Sequence, residues 1–300
     1  MSFPASASAP PPPRAVEADA GLDWAGCPLC GQGETRPRQF RFAPHAVVRC
    51  AGCGLWYLRP RLPEPSMLER YRTASYFAGP GAGYSNYEAQ EATLRRTFRS
   101  FLRELDRRGS LHGRLLEVGC AYGYFLEEAR RYFSVRVGTD FSPEALAKAA
   151  PAADRVVLGG LADLRPGELF EFAAVIHVIE HIYEPVRFLE ELRLRLVPGG
   201  RVLVATPDFG SLWRHLLGRR WPFFKVPEHV AFFDRATLPA LLRRAGFEAP
   251  VPLAYPSLFP LGLVAEKVGL RLGGALHGWP VWIPATSIAF SARNPDARPL

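Results

Sequence analysis

From residue 111 to residue 293, short apolar runs alternate with stretches whose apolar positions recur at helical spacing. The apolar runs predict strands at 114–118, 134–139, 155–158, 173–177, 200–206, 248–253 and 287–291. The helical spacing predicts helices at 123–131, 143–150, 186–196 and 235–245. Ser142 stands as a cap before Pro143 in the first turn of its helix, and Pro198-Gly199-Gly200 is read as the stop of the helix before it. Upstream, 88–108 carries Leu94, Phe98, Phe101, Leu102 and Leu105 on one face and charged residues on the other, which predicts an amphipathic helix. A Pro-rich link at 59–65, a short helix at 66–71 and a Gly- and Tyr-rich loop at 76–87 lead into it. Such alternation predicts an α/β domain with a mostly parallel sheet and helices on both faces, whose ligands sit at the carboxyl ends of the strands.

Several chemically distinctive residues fall at those ends. Leu115-Leu116-Glu117-Val118-Gly119-Cys120-Ala121-Tyr122-Gly123 runs from a strand through a small-residue turn into a helix, which lets bare backbone approach a ligand. Asp140 ends the next strand, where a carboxylate can hold a ribose diol. Asp163 and the segment from His177 to His181 occupy the ends of later strands.

Four of the five cysteines form two pairs, Cys27-x2-Cys30 and Cys50-x2-Cys53, nineteen residues apart. Gly31 and Gly54 follow the second cysteine of each pair and permit the tight turn that aims backbone N–H groups at sulfur. Two such turns supply four thiolates to one tetrahedral zinc ion, and a site filled by four protein ligands is structural. Disulfides and a redox pair are the competing readings; no secretory pattern at the N-terminus favours them. The ribbon, 23–62, is too short to hold itself together by core burial alone. Cys120 reads as a small packing residue rather than a nucleophile.

The net charge of +8 invites a nucleic-acid partner, but the positive charge is almost all arginine, scattered beside acidic residues with no dense basic block. We therefore expect no nucleic-acid partner. Residues 1–22 are Pro/Ala/Ser-rich without an apolar core and read as a disordered tail, which together with the missing signal pattern predicts a cytoplasmic protein. The uncharged run 272–292 has the length of a membrane span, but its prolines divide it, and we read a loop followed by a strand.

The segments LLEVGCAYGYFLEEA, GTDFSPEAL, VIHVIEHIYEPVRFLEELRLRLVPGGRVLVATPD, PEHVAFFD and LLRRAGFE, in this order, resemble the class I S-adenosylmethionine-dependent methyltransferases over roughly 111–250. The N-terminal ribbon is similar to that of a subset that includes sugar and secondary-metabolite methyltransferases. The resemblance implies a Rossmann-like seven-stranded sheet over 111–300, with acceptor-pocket segments within 208–285, and a linker and helical lid at 63–110. It implies S-adenosylmethionine around Glu117, Gly119, Cys120, Ala121 and Gly123, with Asp140 on the ribose, Phe141 beside it, Asp163 near the adenine, and His177 at the sulfonium. Ala121 departs from the usual middle glycine and Ala173 from a common aspartate. A dehydrogenase is the competing reading of a lone glycine turn, but the accompanying segments favour the methyltransferase.

The resemblance also implies a small-molecule acceptor methylated on oxygen or carbon. His181 and His229 are candidate bases, each with a structural alternative: His181 as a loop pin with Glu180, His229 as a packed core residue. Tyr84 and Tyr87 suit a lid over the cofactor, and 213–224 suits either an acceptor wall or packing against the sheet edge. Two further readings stay open at this level: an RNA methyltransferase gripping its substrate with the ribbon, and a non-catalytic interaction protein on the same fold. No feature sets the oligomeric state.

Overall fold

The computed structural model describes residues 21–72, 87–109, 111–267, 276 and 278–295. The readings made for 1–20 and for the loop with Tyr84 lie outside them. Three strands, β1 (Thr35–Phe42), β2 (His45–Cys50) and β3 (Trp56–Leu58), build the ribbon, followed by α1 (Glu64–Tyr71) and α2 (Glu91–Arg107). The large sheet then begins with β4 (Arg114–Val118), α3 (Tyr124–Ala129), β5 (Val135–Asp140), α4 (Pro143–Ala149), β6 (Arg155–Leu158) and β7 (Phe170–Ile176). It continues through α5 (Pro185–Arg193), β8 (Leu196–Pro207), α6 (Leu212–Leu217), β9 (Ala231–Phe232) and α7 (Thr237–Arg244). The last elements are β10 (Glu248–Leu253), β11 (Leu258–Pro260), α8 (Leu261–Lys267), β12 (Pro280–Trp282) and β13 (Ser287–Arg293).

Seven strands form one sheet in the order β10-β13-β8-β7-β4-β5-β6. Strands β4 to β8 pair in parallel, and β13 pairs antiparallel with both β8 and β10. Consecutive residues of the central strands feed opposite layers. Leu116, Ala173 and Val204 join the core under α5 and α7, and Leu115, Phe172 and Leu203 join the core under α2, α3 and α4. A sheet buried on both faces needs near-continuous apolar strands, which is why these runs lack a polar alternation. The chain order reverses direction at β4, flanked by β5 on one side and β7 on the other. This is the switch point at which open α/β sheets leave a crevice.

The element boundaries differ from expectation where local chemistry overrides periodicity. Helix α5 ends at Arg193, and Leu196 already pairs with Phe170 as the start of β8. The register then shifts, with Gly199 at φ 78°, so Pro198-Gly199 interrupts a strand rather than stopping a helix. Two features had no strand signal: the short β9, and the β11–β12 pair. Ser142 caps α4 by accepting a hydrogen bond from Ala145 N at 3.2 Å, as its sequence position suggests.

Strand β9 joins the ribbon to the large domain. The second sheet runs β1-β2-β3-β9, so a strand from the far end of the sequence completes the ribbon's sheet. No helix among the described residues is long and apolar enough to cross a membrane.

Candidate active site and cysteine centre

The crevice at the switch point is a cavity of about 470 Å³, within the range of ordinary cofactor sites. It is lined by the turn after β4 (Gly119, Ala121), the end of β5 (Asp140, Phe141), the segment after β6 (Leu161, Ala162, Asp163), and His177 and His181 after β7. Tyr87 and Tyr71 close part of its wall. Among the described residues, none between 208 and 285 lines this cavity; part of the segments expected to wall an acceptor, 268–275 and 277, lies outside the described residues.

The turn is held in an unusual backbone conformation. Gly119 has φ 71°, and a Cβ there would stand 2.4 Å from Val178 Cγ2. Ala121 adopts φ 46° although it carries a Cβ, a conformation costly enough to need support. Its N–H donates to Asp140 Oδ2 at 2.9 Å, and Gly119 and Cys120 N–H both donate to Thr139 O. The backbone at Ala121 is thereby anchored to the residue expected at the ribose. Asp140 Oδ1 accepts from Ser142 N at 2.9 Å. Burial raises the Asp140 carboxyl above the usual aspartate value, against the pull of the Ser142, Ala121 and Phe141 N–H groups.

Glu117, Cys120 and Gly123 stand behind the turn rather than on the cavity wall. Gly123, at φ 75°, precedes α3. Cys120 is buried against Gly138. Glu117 is buried, and its Oε2 finds no hydrogen-bond partner among the described residues. Burial first, and the Asp140 charge second, push its carboxyl well above the glutamate value. An unpartnered buried acceptor beside a glycine turn suits a ligand that brings its own polar group. Asp163 Oδ2 accepts from Gly160 N at 2.9 Å. Tyr87 stacks on Tyr124 at 5.4 Å and meets Tyr122 edge-on.

The histidine cluster sits opposite. His177, at φ 54°, places Nδ1 3.5 Å from Glu180 Oε1, and Thr206 Oγ1 donates to Glu180 Oε2 at 2.9 Å. Burial would raise the Glu180 carboxyl, but the hydrogen bond and charge of His177 and the charge of His181 outweigh it and hold it below the glutamate value. His181 Nδ1 lies 3.1 Å from Glu228 O and 3.0 Å from the Tyr71 hydroxyl. A carbonyl only accepts, so the Glu228 contact favours the tautomer with the proton on Nδ1 and the lone pair on Nε2, the Tyr71 hydroxyl then accepting from the same N–H. Burial, more than any neighbour, lowers the His181 value below that of a free histidine. His229 is buried, contacts the His181 ring at 4.7 Å edge-on, and does not line the cavity. Burial, then the charges of His181, Lys225 and His177, drive its value far down. Ligand-capable atoms of Glu180, His181 and His229 lie within 4.8 Å of one another, yet Glu180 and His181 already hold protein partners. Tyr71, Thr206 and the Glu228 carbonyl had no sequence signal, because they come from three separate elements.

The four ribbon sulfurs lie within 4.8 Å of one another, with Cys27–Cys53 and Cys30–Cys50 each at 3.4 Å. None is disulfide-bonded. Backbone N–H groups of Leu29 and Cys30 point at Cys27 sulfur, and those of Gly52 and Cys53 at Cys50 sulfur. Four thiols on this spacing can hold a tetrahedral metal ion, for which Zn–S of about 2.3 Å sets S···S near 3.8 Å.

A family profile described as methyltransferase domain matches residues 88–250, more than half of the chain. The chain belongs to this methyltransferase family. A Mycolicibacterium smegmatis protein named "Probable S-adenosylmethionine-dependent methyltransferase" is 33% identical over 141 residues, which cover 45% of this chain and 51% of that protein. A Cereibacter sphaeroides ubiquinone biosynthesis O-methyltransferase is 27% identical over 151 residues, 45% of this chain and 60% of the relative. The methyltransferase chain thus spans little more than half the length of these relatives. Its fold is also similar to a chain in the complex of the Haloferax volcanii Trm112 methyltransferase activator with a methyltransferase (TM-score 0.50, 16% identity, 69% of this chain and 95% of that one).

Proposed function

We propose that this protein transfers a methyl group from S-adenosylmethionine to a small-molecule acceptor, a sugar or secondary metabolite. The observation that carries the reading is the convergence of the Gly119–Ala121 turn, Asp140, Asp163 and the His177–His181 segment on one cavity at the sheet's switch point. The similarity to ubiquinone biosynthesis O-methyltransferases favours oxygen as the methylated atom.

When bound, S-adenosylmethionine supplies an activated methyl group for in-line transfer to a nucleophile. In this reading the Asp140 carboxylate accepts from the ribose hydroxyls, Asp163 and Leu161 border the adenine, and Phe141 packs beside them. Gly119 and Ala121 bring backbone against the methionine end, Glu117 offers its spare acceptor from below, Cys120 and Gly123 shape the turn, and Tyr87 covers it. His177 lines the sulfonium region, anchored by Glu180. His181 Nε2 takes the proton from an acceptor hydroxyl as the oxygen–methyl bond forms, and Nδ1 stays fixed on Glu228 O. His229 backs the His181 ring. The four cysteines, Cys27, Cys30, Cys50 and Cys53, hold a structural zinc ion that keeps the ribbon, 23–62, in shape beside the catalytic domain. Titration calorimetry tests the reading: the pure protein binds S-adenosylmethionine, and no heat at millimolar cofactor would sink it.

A further inference from the structure

Helix α6 reverses the usual burial pattern. Its arginine is inside: Arg214 is 7% exposed, donates from Nε to Phe209 O at 2.8 Å, and lies over the Phe209 ring at 4.8 Å. Its large apolar residues are outside, with Leu212 67% and Leu216 68% exposed, and Trp213 and Leu217 also at the surface. Leu212 and Leu216 are one helical turn apart and share a face. A soluble helix normally does the opposite.

The surface continues beyond the helix. Trp213 Nε1 donates to Pro284 O at 2.8 Å, and Asp208 N donates to Thr286 O at 3.0 Å, which bind the start of α6 beside the end of β12. Trp282, the last residue of β12, is 62% exposed there, and Trp279, just before the strand's first residue, is 63% exposed. Leucines and tryptophans of this number at one surface exceed the scattered apolar exposure of a monomer.

Charge says what covers it. No acidic residue occurs from 209 to 227, while Arg214, Arg219, Arg220 and Lys225 do. Arg219 and Arg220 follow α6 directly and are exposed, and Arg219 reaches Arg41 O, bringing the exposed Arg41 to the same rim. The segment from 268 to 295 also lacks any Asp or Glu. Apolar side chains with interfacial tryptophans, rimmed by arginine and free of acids, match a surface that is greasy below and negative above.

We propose that this face docks the protein on an anionic lipid bilayer, with α6 lying in the interface. The inference is independent of the methyl-transfer reading, because none of these residues lines the cavity.

Vesicle flotation tests it with the full chain, using phosphatidylcholine vesicles with and without phosphatidylglycerol. The protein floats with the phosphatidylglycerol vesicles, and salt weakens the association. Leu212→Ser/Leu216→Ser lowers the vesicle affinity by about tenfold or more, with an unchanged thermal midpoint. Trp282→Ser, on the neighbouring strand, weakens it as a second variant. Failure to float at low salt overturns the proposal, as does undiminished flotation of the double variant. So does light scattering that shows a dimer broken by the same substitutions in a protein that does not float, which would assign the face to a second copy of the chain.

Discussion

Asp140 already accepts from the Ala121 and Ser142 N–H groups, yet a carboxylate offers about four lone-pair positions, so it can build the turn and still accept from a diol. Removing it therefore harms cofactor binding twice, by losing the acceptor and by freeing Ala121 from its strained φ. At about 1.5–3 kcal/mol for each hydrogen bond to a charged group, Asp140→Ala weakens S-adenosylmethionine affinity by about a hundredfold, read by calorimetry. His181→Ala, assigned to the acceptor side, shifts the same constant far less; equal losses would misplace the ribose assignment. The histidines give a second test. His181 and His229 both titrate below the free value of 6.5 in the folded chain. As pH falls below about 6.5, the unfolded chain takes up protons that the folded chain refuses, so these groups reduce stability progressively toward acid. His229→Gln removes the larger share. The variant's melting temperature thus falls less steeply than the parent's between about pH 6.5 and pH 5, and parallel curves would refute a buried neutral His229.

At the scale of elements, the ribbon and the histidine cluster are mechanically continuous. Leu58 N donates to Val230 O, Val230 N donates to Glu180 O, and β3 pairs with β9, which starts two residues after His229. Asp140 and the glycine turn lie across the cavity on other strands. On the proposed zinc site, chelation or Cys50→Ser is therefore expected to abolish bound zinc in elemental analysis and to reduce turnover more than cofactor affinity. A larger effect on affinity than on turnover would mean that the ribbon acts elsewhere. This coupling was not legible in the sequence. The apolar periods revealed the large sheet's seven strands, the helices over them and the strand-end acids, because burial on both faces leaves a direct mark on local composition. The cysteine pairs were equally plain. Strand β9 was not, since two residues that pair with Trp56 and Tyr57 at the sheet's edge leave no period to detect. Tyr71 reaches His181 across 110 positions of sequence, a contact only the fold creates. Pro198-Gly199 carried a helix-stop signal that became a strand irregularity, because pairing with β7 overrode it.

For the molecule as a whole, part of the positive charge is engaged at home, with twelve arginines and lysines in ion pairs among the described residues. Arg114 and Arg155 share Glu168, Arg95 bridges Glu91 and Glu128, and Arg136 pairs with Asp154. These arginines serve the fold, joining β4, β6, α2 and α3 to their neighbours. The cores show the same integration. Cys27, Leu29, Cys50, Leu55 and Tyr57 of the ribbon belong to one buried cluster with Leu116, Val175 and Val204 of the central sheet and Leu238 and Leu241 of α7. The ribbon's apolar side chains are thus part of the methyltransferase domain's core, although its spacing in the sequence reads as a separate unit. Shared burial makes unfolding cooperative, and a ligand held only by the folded state stabilises everything that unfolds with it. Calorimetry of the zinc-loaded protein is therefore expected to show one transition, and chelation to move that whole transition to lower temperature. A small early transition, moved by chelator while the main one stays in place, would show instead that the ribbon unfolds alone and that its contacts with the sheet contribute little.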